Sequence, residues 1–379
     1  MTLIVKFARA HRVALLAGLL TAAFAAAGWF EQFEYWSLSR LFELRGARAP
    51  TLPIVIVSVD QSTLSELNEQ WPFARGRHAD LIRAIIPGKP RAIVLDLNFD
   101  EPSLRGPADD AQLADALASA GNVLLAAVYS IDIQPFYRRD ALNVPIPELR
   151  RGAAAVGLVN APIESDGQIH RMPVRLTLPV GEMPTLIIAA HGYLAKLGLR
   201  GAPLPRTNDV LINYRGGPNT FPWMSYYRVL RGEIPASYWN DRIVMVGLTS
   251  PLLHDRFATP FARNGEMPGV EILANELETL MTGNWLREVS MAVSAVLAVV
   301  FALVGSVVAV HVRGAWSALL AGALWIAVSV TTFAVFAVAD VWIHALPLSV
   351  ALALGYIGRC VDSAKLERRP WWRNDESVY

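Results

Sequence analysis

Apolar positions along the chain fall into two kinds of stretch: long uninterrupted runs near both ends, and shorter patterned segments between them. Residues 13–30 form an uncharged run rich in Ala and Leu, roughly the ~20 residues needed to cross a bilayer. Residues 289–310, 315–338 and 341–357 are three further apolar runs, separated only by His-Val-Arg-Gly and by Ala339-Asp340. This pattern predicts one N-terminal and three C-terminal transmembrane helices, with short ends at 1–12 and 358–379. Between them, 31–288 reads as an α/β domain. The β-branched run 54–59 predicts a strand ending at Asp60, with Ser62 as the N-cap of a short helix. Helix-like 78–86 precedes strand-like 92–95, 110–120 precedes 123–128, and 185–197 precedes 210–212. The strand-like 243–246 precedes the helix-like 270–281, while 181–184 and 198–205 read as loops. Apolar strands alternating with amphipathic helices predict a largely parallel sheet covered by helices.

Charge orients these runs. Lys6, Arg9, His11 and Arg12 precede the first run, Arg313 lies between the second and third, and Arg359, Lys365, Arg368, Arg369 and Arg373 follow the last. Basic residues flank membrane helices on the cytoplasmic side, so both termini are expected inside and 31–288 outside, in the periplasm or cell exterior of a bacterium. The expected location is the bacterial inner membrane, with several passes. A cleaved signal peptide, cut around 25–28, is the rival reading of the first run. An uncleaved anchor fits better, because the run is long for a signal core and continues into Trp29, Phe30 and Glu31. The interiors of the four runs hold no Asp, Glu, Lys or Arg, the groups that proton relays and ion pathways use, which argues against transport. Gly18 and Ala22, and likewise Gly314, Ala318 and Gly322, repeat at a spacing that lets helices approach closely, either within the bundle or in a homodimer.

The composition agrees: 53% of the 379 residues are hydrophobic and 18% charged, with a formal net charge of +1. A chain without a basic field has no electrostatic footprint for nucleic acid. One cysteine, Cys360, rules out an internal disulfide framework, so an external domain must be held by its core.

The candidate chemistry is polar residues at strand ends. Asp60 and Asp96 each close a predicted strand, the edge where parallel α/β sheets bind ligands. They either share a site or accept backbone N–H groups in the following turns. Asp255 extends the set to an acidic cluster suited to a cation or an amine. Trp71, Pro72 and Arg75 stand together, and Arg75 at a helix start is expected to pair with Asp60 or Asp96, as an ion pair or as a ligand clamp. Asp166-Gly167 followed by Arg171 reads as a turn into a strand. Tyr214, Phe221, Trp223, Tyr226 and Tyr227 either line a cleft or fill the core. The sequence holds no H-E-x-x-H, G-x-S-x-G, phosphate loop or dinucleotide fingerprint, so neither an enzyme, a cofactor nor a metal site is expected.

Seven phrases occur in an order that resembles one family. They are Ile-Val-Ile-Val-Ser-Val-Asp ending at Asp60, Trp-Pro-Phe-Ala-Arg ending at Arg75, Ala-Ile-Val-Leu-Asp ending at Asp96, and Asp166-Gly167 with Arg171. Ile-Asn-Tyr-Arg-Gly around Tyr214, Val-Met-Val-Gly ending at Gly247, and Met-Pro-Gly-Val-Glu ending at Glu271 with Ala274-Asn275 complete the series. The series resembles the type-two CHASE domain, a sensory extracellular domain associated with bacterial cyclases, histidine kinases and serine/threonine kinases. The resemblance covers nearly all of 31–288 and extends to the arrangement of one helix before and three after. It implies a sensor that detects a small-molecule or envelope ligand. A His common before the Ala-Asn pair is Leu273 here, and only about twenty residues follow the last run, too few for a catalytic domain. The output is therefore expected from a separate cytoplasmic kinase, cyclase or regulator. Two other readings stand beside it: an envelope assembly protein that binds another protein, and a periplasmic hydrolase built on Asp60, Asp96 and Asp255 converging around a metal.

Overall fold

The structure is a computed structural model describing residues 7, 11–134, 137–179, 181–199, 201–312 and 314–367. Its elements in chain order begin with α1 (Arg12–Ala26) and α2 (Glu31–Arg45), then β1 (Ile54–Val59), α3 (Gln61–Leu67), α4 (Arg75–Ile85) and β2 (Ala92–Leu95). These are followed by α5 (Pro107–Ala120), β3 (Val123–Gln134), β4 (Tyr137–Asn143), α6 (Pro147–Gly152) and β5 (Ala155–Leu158). Short strands β6 (Arg171–Pro173), β7 (Leu176–Leu178) and β8 (Gly181–Met183) lead to α7 (Leu186–Lys196), β9 (Asp209–Leu211), β10 (Trp223–Ser225) and α8 (Tyr226–Leu230). The middle of the chain closes with β11 (Ile243–Leu248), β12 (Arg256–Thr259), β13 (Ala262–Pro268) and α9 (Gly269–Thr282). Last come β14 (Arg287–Glu288), α10 (Met291–His311), α11 (Ala315–Ala339), β15 (Val341–Trp342) and α12 (Ala345–Glu367).

The chain divides into two compact units, one made of residues 1–41 and 287–379 and the other of Phe42–Leu286. In the second unit β10, β1, β11, β2 and β3 lie side by side in parallel, β5 joins β3 in parallel, and only β4 runs antiparallel. Strands of a helix-covered parallel sheet are buried on both faces, which is why β1, β2 and β11 read as apolar runs, broken in β1 only by the buried Ser58. The expected strands at 54–59, 92–95, 123–128 and 243–246 all belong to this sheet. The expected strand at 210–212 does not; it pairs with β6 in a separate two-stranded ribbon. One face carries the core of Leu81, Ile82, Leu113, Leu117 and Trp239 from the covering helices. Gly157 marks a close approach, since a Cβ there would stand 2.5 Å from backbone atoms of Leu186, so β5 and the start of α7 meet backbone to backbone.

In the first unit α10, α11 and α12 are each long and apolar enough to cross a membrane. The last of them begins at Ala345 and not at 341, because Val341 and Trp342 pair with Arg287 and Glu288 as a short parallel ribbon. Helix α1 has 15 residues and ends at a break where Gly28 takes a φ of +79°; with α2 it qualifies as a span only as a pair bent by 83°. Packing rests on small residues: Ala298, Ala302 and Ala351 are fully buried, Gly355 approaches the Ala302 carbonyl, and Gly305 approaches that of Leu352. Gly18 likewise packs against Val299 and Ala302, whereas Gly322 faces open space. Two polar contacts sit at the foot of α12, where the Leu346 amide donates to Glu34 at 2.9 Å and His344 lies 3.0 Å from Glu288. Arg313, Lys6, Arg9 and the tail with Arg368, Arg369, Trp371, Trp372 and Arg373 lie outside the described residues.

Candidate functional site

Asp60 and Asp96 both follow a parallel strand, yet the chain does different things after each. The helix α3 starts directly after Asp60, so this residue, and not Ser62, is the N-cap: one carboxylate oxygen accepts the Thr63 amide and hydroxyl, both at 2.7 Å, and the other accepts the Ser225 hydroxyl at 2.5 Å. Both carboxylate oxygens of Asp60 are thereby engaged within the fold. After Asp96 the chain runs on as Leu-Asn-Phe-Asp with no helix, and the Asp96 carboxyl has no hydrogen-bond partner among the described residues. It opens instead onto a half-enclosed cavity of about 700 Å³ at the C-terminal edge of β2 and β11. Open α/β sheets place ligands at this edge, and the volume falls within the usual range for small-molecule sites.

Asp255 reaches the same cavity from the turn before β12. Its carboxylate lies against the bare Cα of Gly269, where a Cβ would stand 2.9 Å from both oxygens. The third acid is Glu276, which none of the sequence readings singled out. It projects from α9, a helix buried along almost its whole length. Three glutamates lie on that helix and two are saturated. Glu271 accepts the amides of Asn219 and Thr220 at 3.1 and 2.9 Å. Glu278 accepts the amides of Thr51 and Leu52 at 2.8 and 2.9 Å. Glu276 is 4% exposed, lines the cavity, and has no hydrogen-bond or ion-pair partner among the described residues.

The electrostatics follow from burial and crowding. Burial pushes the Asp96 carboxyl well up, and the Asp255 charge adds to it. Burial alone raises Asp255 to about 6. Glu276 is pushed up to about 8 by burial first and by Asp96 second. Asp96 is thus the middle member of the three.

The remaining wall is mixed. Val128, Val159, Phe257, Ile272 and Leu273 give it an apolar side, and Trp71 and Arg75 close one end. The expected pairing of Arg75 with Asp60 or Asp96 is not what forms. Arg75 Nε lies 3.6 Å from Asp110, Nη2 donates to the Glu101 carbonyl at 3.0 Å, and the guanidinium sits over the Phe99 ring at 4.6 Å. The neighbouring Asp109 caps α4 from outside, accepting the amides of Arg75 and Gly76 at 2.8 Å each. An acidic first turn of α5 therefore answers the basic first turn of α4. Removing the guanidinium strands a mostly buried Asp110, so Arg75→Ala is expected to lower stability by about 2 kcal/mol, read as a shift of the denaturation midpoint of the full chain, with Arg75→Lys intermediate.

The other candidates lie elsewhere. Arg171 pairs with Asp209 at 3.0 Å and Glu164 at 3.6 Å. Tyr214 is buried and donates to the Ile169 carbonyl at 2.8 Å. Phe221 and Tyr226 are buried in the core, the latter bonded to His78, and neither they nor Trp223 and Tyr227 reach the cavity. With Asp60 tied to Thr63 and Ser225, the trio required for a metal-dependent hydrolase does not assemble, and no group of three His, Cys, Asp or Glu among the described residues converges closely enough to hold a metal ion.

Comparison with curated proteins and with solved structures returns no match. The family model for the CHASE2 domain matches residues 13–308, from the first apolar helix into α10. The chain therefore belongs to the CHASE2 family of sensory extracellular domains.

Proposed function

We propose that this chain is a transmembrane sensor of the bacterial inner membrane whose external α/β unit binds a solute in the cavity edged by Asp96, Asp255 and Glu276. Binding is relayed through the membrane helices to a cytoplasmic kinase, cyclase or regulator. The observation that carries this reading is the cavity itself: it lies at the ligand-binding edge of a parallel sheet and its wall holds carboxyls that the fold leaves unused. A purely structural envelope protein has no need of such a wall, because unpartnered buried acids cost stability. Leu273 lines the cavity and is 6% exposed, so Leu273→Trp fills the site from within. In a thermal-shift screen of periplasmic metabolites against the full chain in nanodiscs, at least one solute raises the wild-type midpoint and leaves Leu273→Trp unmoved. A spin label on Cys360, the single native cysteine, reads the relay as a changed spectrum when that solute is added. If no solute distinguishes the two proteins, the cavity is not a sensory site.

The topology is open to a direct check. Four crossings with basic flanks inside require alkaline phosphatase fused after Leu286 to be active and the same enzyme fused after Tyr379 to be inactive. Activity at Tyr379 would remove the arrangement with one crossing before the α/β unit and three after it.

A further inference from the structure

We infer that the cavity recognises a protonated organic amine with an apolar body, its N–H groups shared among Asp96, Asp255 and Glu276. This rests on the reading of the cavity as the sensory site and adds the chemical class of its ligand. Two features point to a cation. The acids gather without a counter-charge, since the guanidinium in the wall, that of Arg75, is already engaged by Asp110, the Glu101 carbonyl and the Phe99 face. Glu276 is almost wholly buried with no partner of its own, while its two neighbours on α9 are saturated by backbone amides. Such a group is either a standing cost to the fold or an acceptor awaiting a donor.

Two features distinguish an amine from a bare metal ion. The acids among the described residues do not converge on one point, as metal ligation requires, whereas an amine carries several N–H donors that reach separate acceptors. Apolar side chains, Ile272 and Leu273 on α9 together with Val159 and Phe257, make up one side of the wall, which a hydrated ion would not use and a hydrocarbon or aromatic body would. Trp71 at the end of the cavity offers a face that attracts cations.

Recognition is coupled to protons. Burial and the neighbouring acids push the carboxyls of Glu276 and Asp96 up, Glu276 to about 8, so Glu276 is largely protonated near neutral pH. An entering ammonium stabilises the carboxylates, and the displaced protons leave to solvent. Asp100, Glu101, His254 and Arg75 face the same space, so the pH dependence is measured on the wild type and on each variant.

The test is calorimetric titration of the full chain in nanodiscs with spermidine, cadaverine and 2-phenylethylamine, the last two against uncharged isosteres (1,5-pentanediol for cadaverine, 2-phenylethanol for the aromatic amine) and all three against glutarate as an anion. At least one amine should bind, release protons as read from buffers of different ionisation enthalpy, and tighten about tenfold or more between pH 6 and pH 8. Glu276→Gln and Asp96→Asn, which keep the side-chain shape, should weaken it by about tenfold or more, and Glu182→Gln on an exposed strand should not. Melting curves of the two variants establish that they are folded. Binding of an isostere or glutarate that is lost in Leu273→Trp overturns the amine class and leaves the sensory cavity standing. Amine binding that survives Leu273→Trp and both carboxamide variants places the amine elsewhere and overturns the inference, as does no response to any of the three amines at millimolar concentration.

Discussion

Glu278→Ala is expected to destabilise the α/β unit by about 3–5 kcal/mol, the range for removing one partner of a buried charged network. The side chain is fully buried, and one of its oxygens accepts both the amide and the hydroxyl of Thr51, at 2.8 and 2.7 Å. Its other oxygen accepts the Leu52 amide at 2.9 Å. Arg215 Nη2 lies 3.0 Å away, at ion-pair distance without the alignment of a hydrogen bond. Alanine leaves three donors without acceptors and a guanidinium only 7% exposed without its counter-charge. The segment released is the one that leads into β1, a central strand, so the loss spreads to the sheet. Thermal unfolding of the full chain checks this as a fall of about 10 °C, taking a few degrees per kcal/mol for a unit of this size. Glu278→Gln keeps one acceptor and should fall between. A midpoint for Glu278→Ala within 2 °C of the wild type, on the same scale, would show that the network contributes nothing.

Much of this architecture was legible in the sequence, and the reason is physical. Strands of a parallel sheet are buried on both faces and so announce themselves as β-branched runs, and the bilayer demands apolar length that no other setting does. What fell short were contacts between elements distant in sequence. The acidic start of α5 was readable after Gly106-Pro107, and so was the basic start of α4, but nothing local says that the two meet. Asp60 and Asp96 look alike as strand-ending acids; the difference is that a helix starts at Gln61, which makes Asp60 a cap, and that none starts at Leu97. Glu276 went unnoticed because a glutamate on an amphipathic helix is ordinarily solvated. A signal was present all the same. Glu271 and Glu278, seven residues apart, lie on nearly the same face of α9, but Glu276 is turned about 140° from Glu271 at 3.6 residues per turn, so the three cannot share one solvated stripe, and a helix with acids on two faces amid apolar neighbours must place some of them inside.

Glu276→Gln should separate from the wild type as pH rises. The ordinary value for a glutamate is 4.5, and Glu276 is raised to about 8 in the folded chain, by burial first and Asp96 second. The folded chain therefore holds this proton over a range where the unfolded chain has released it. Stability falls with rising pH wherever the folded state binds more protons, so the contribution is fully present below about pH 4.5 and is lost as pH climbs through 8. Other groups shape the absolute profile. Asp255, raised to about 6, acts in the same sense at lower pH, and His78, buried and lowered to about 3, acts in the opposite sense below the ordinary histidine value of 6.5. Asp109 and Asp166, both lowered from 3.8, matter only as pH falls through the acid range. The difference between variant and wild type cancels these groups and keeps Glu276 with its coupling to Asp96. Glutamine has the shape of the protonated acid and never ionises, so the two proteins should melt together near pH 5, and the variant should gain of order a few kcal/mol by about pH 8.5. Melting curves of the full chain at half-unit steps read the gap directly. A gap that stays constant across the range would mean that Glu276 ionises as easily in the folded chain as in water, and that its place in the cavity wall carries no electrostatic cost for a cation to relieve.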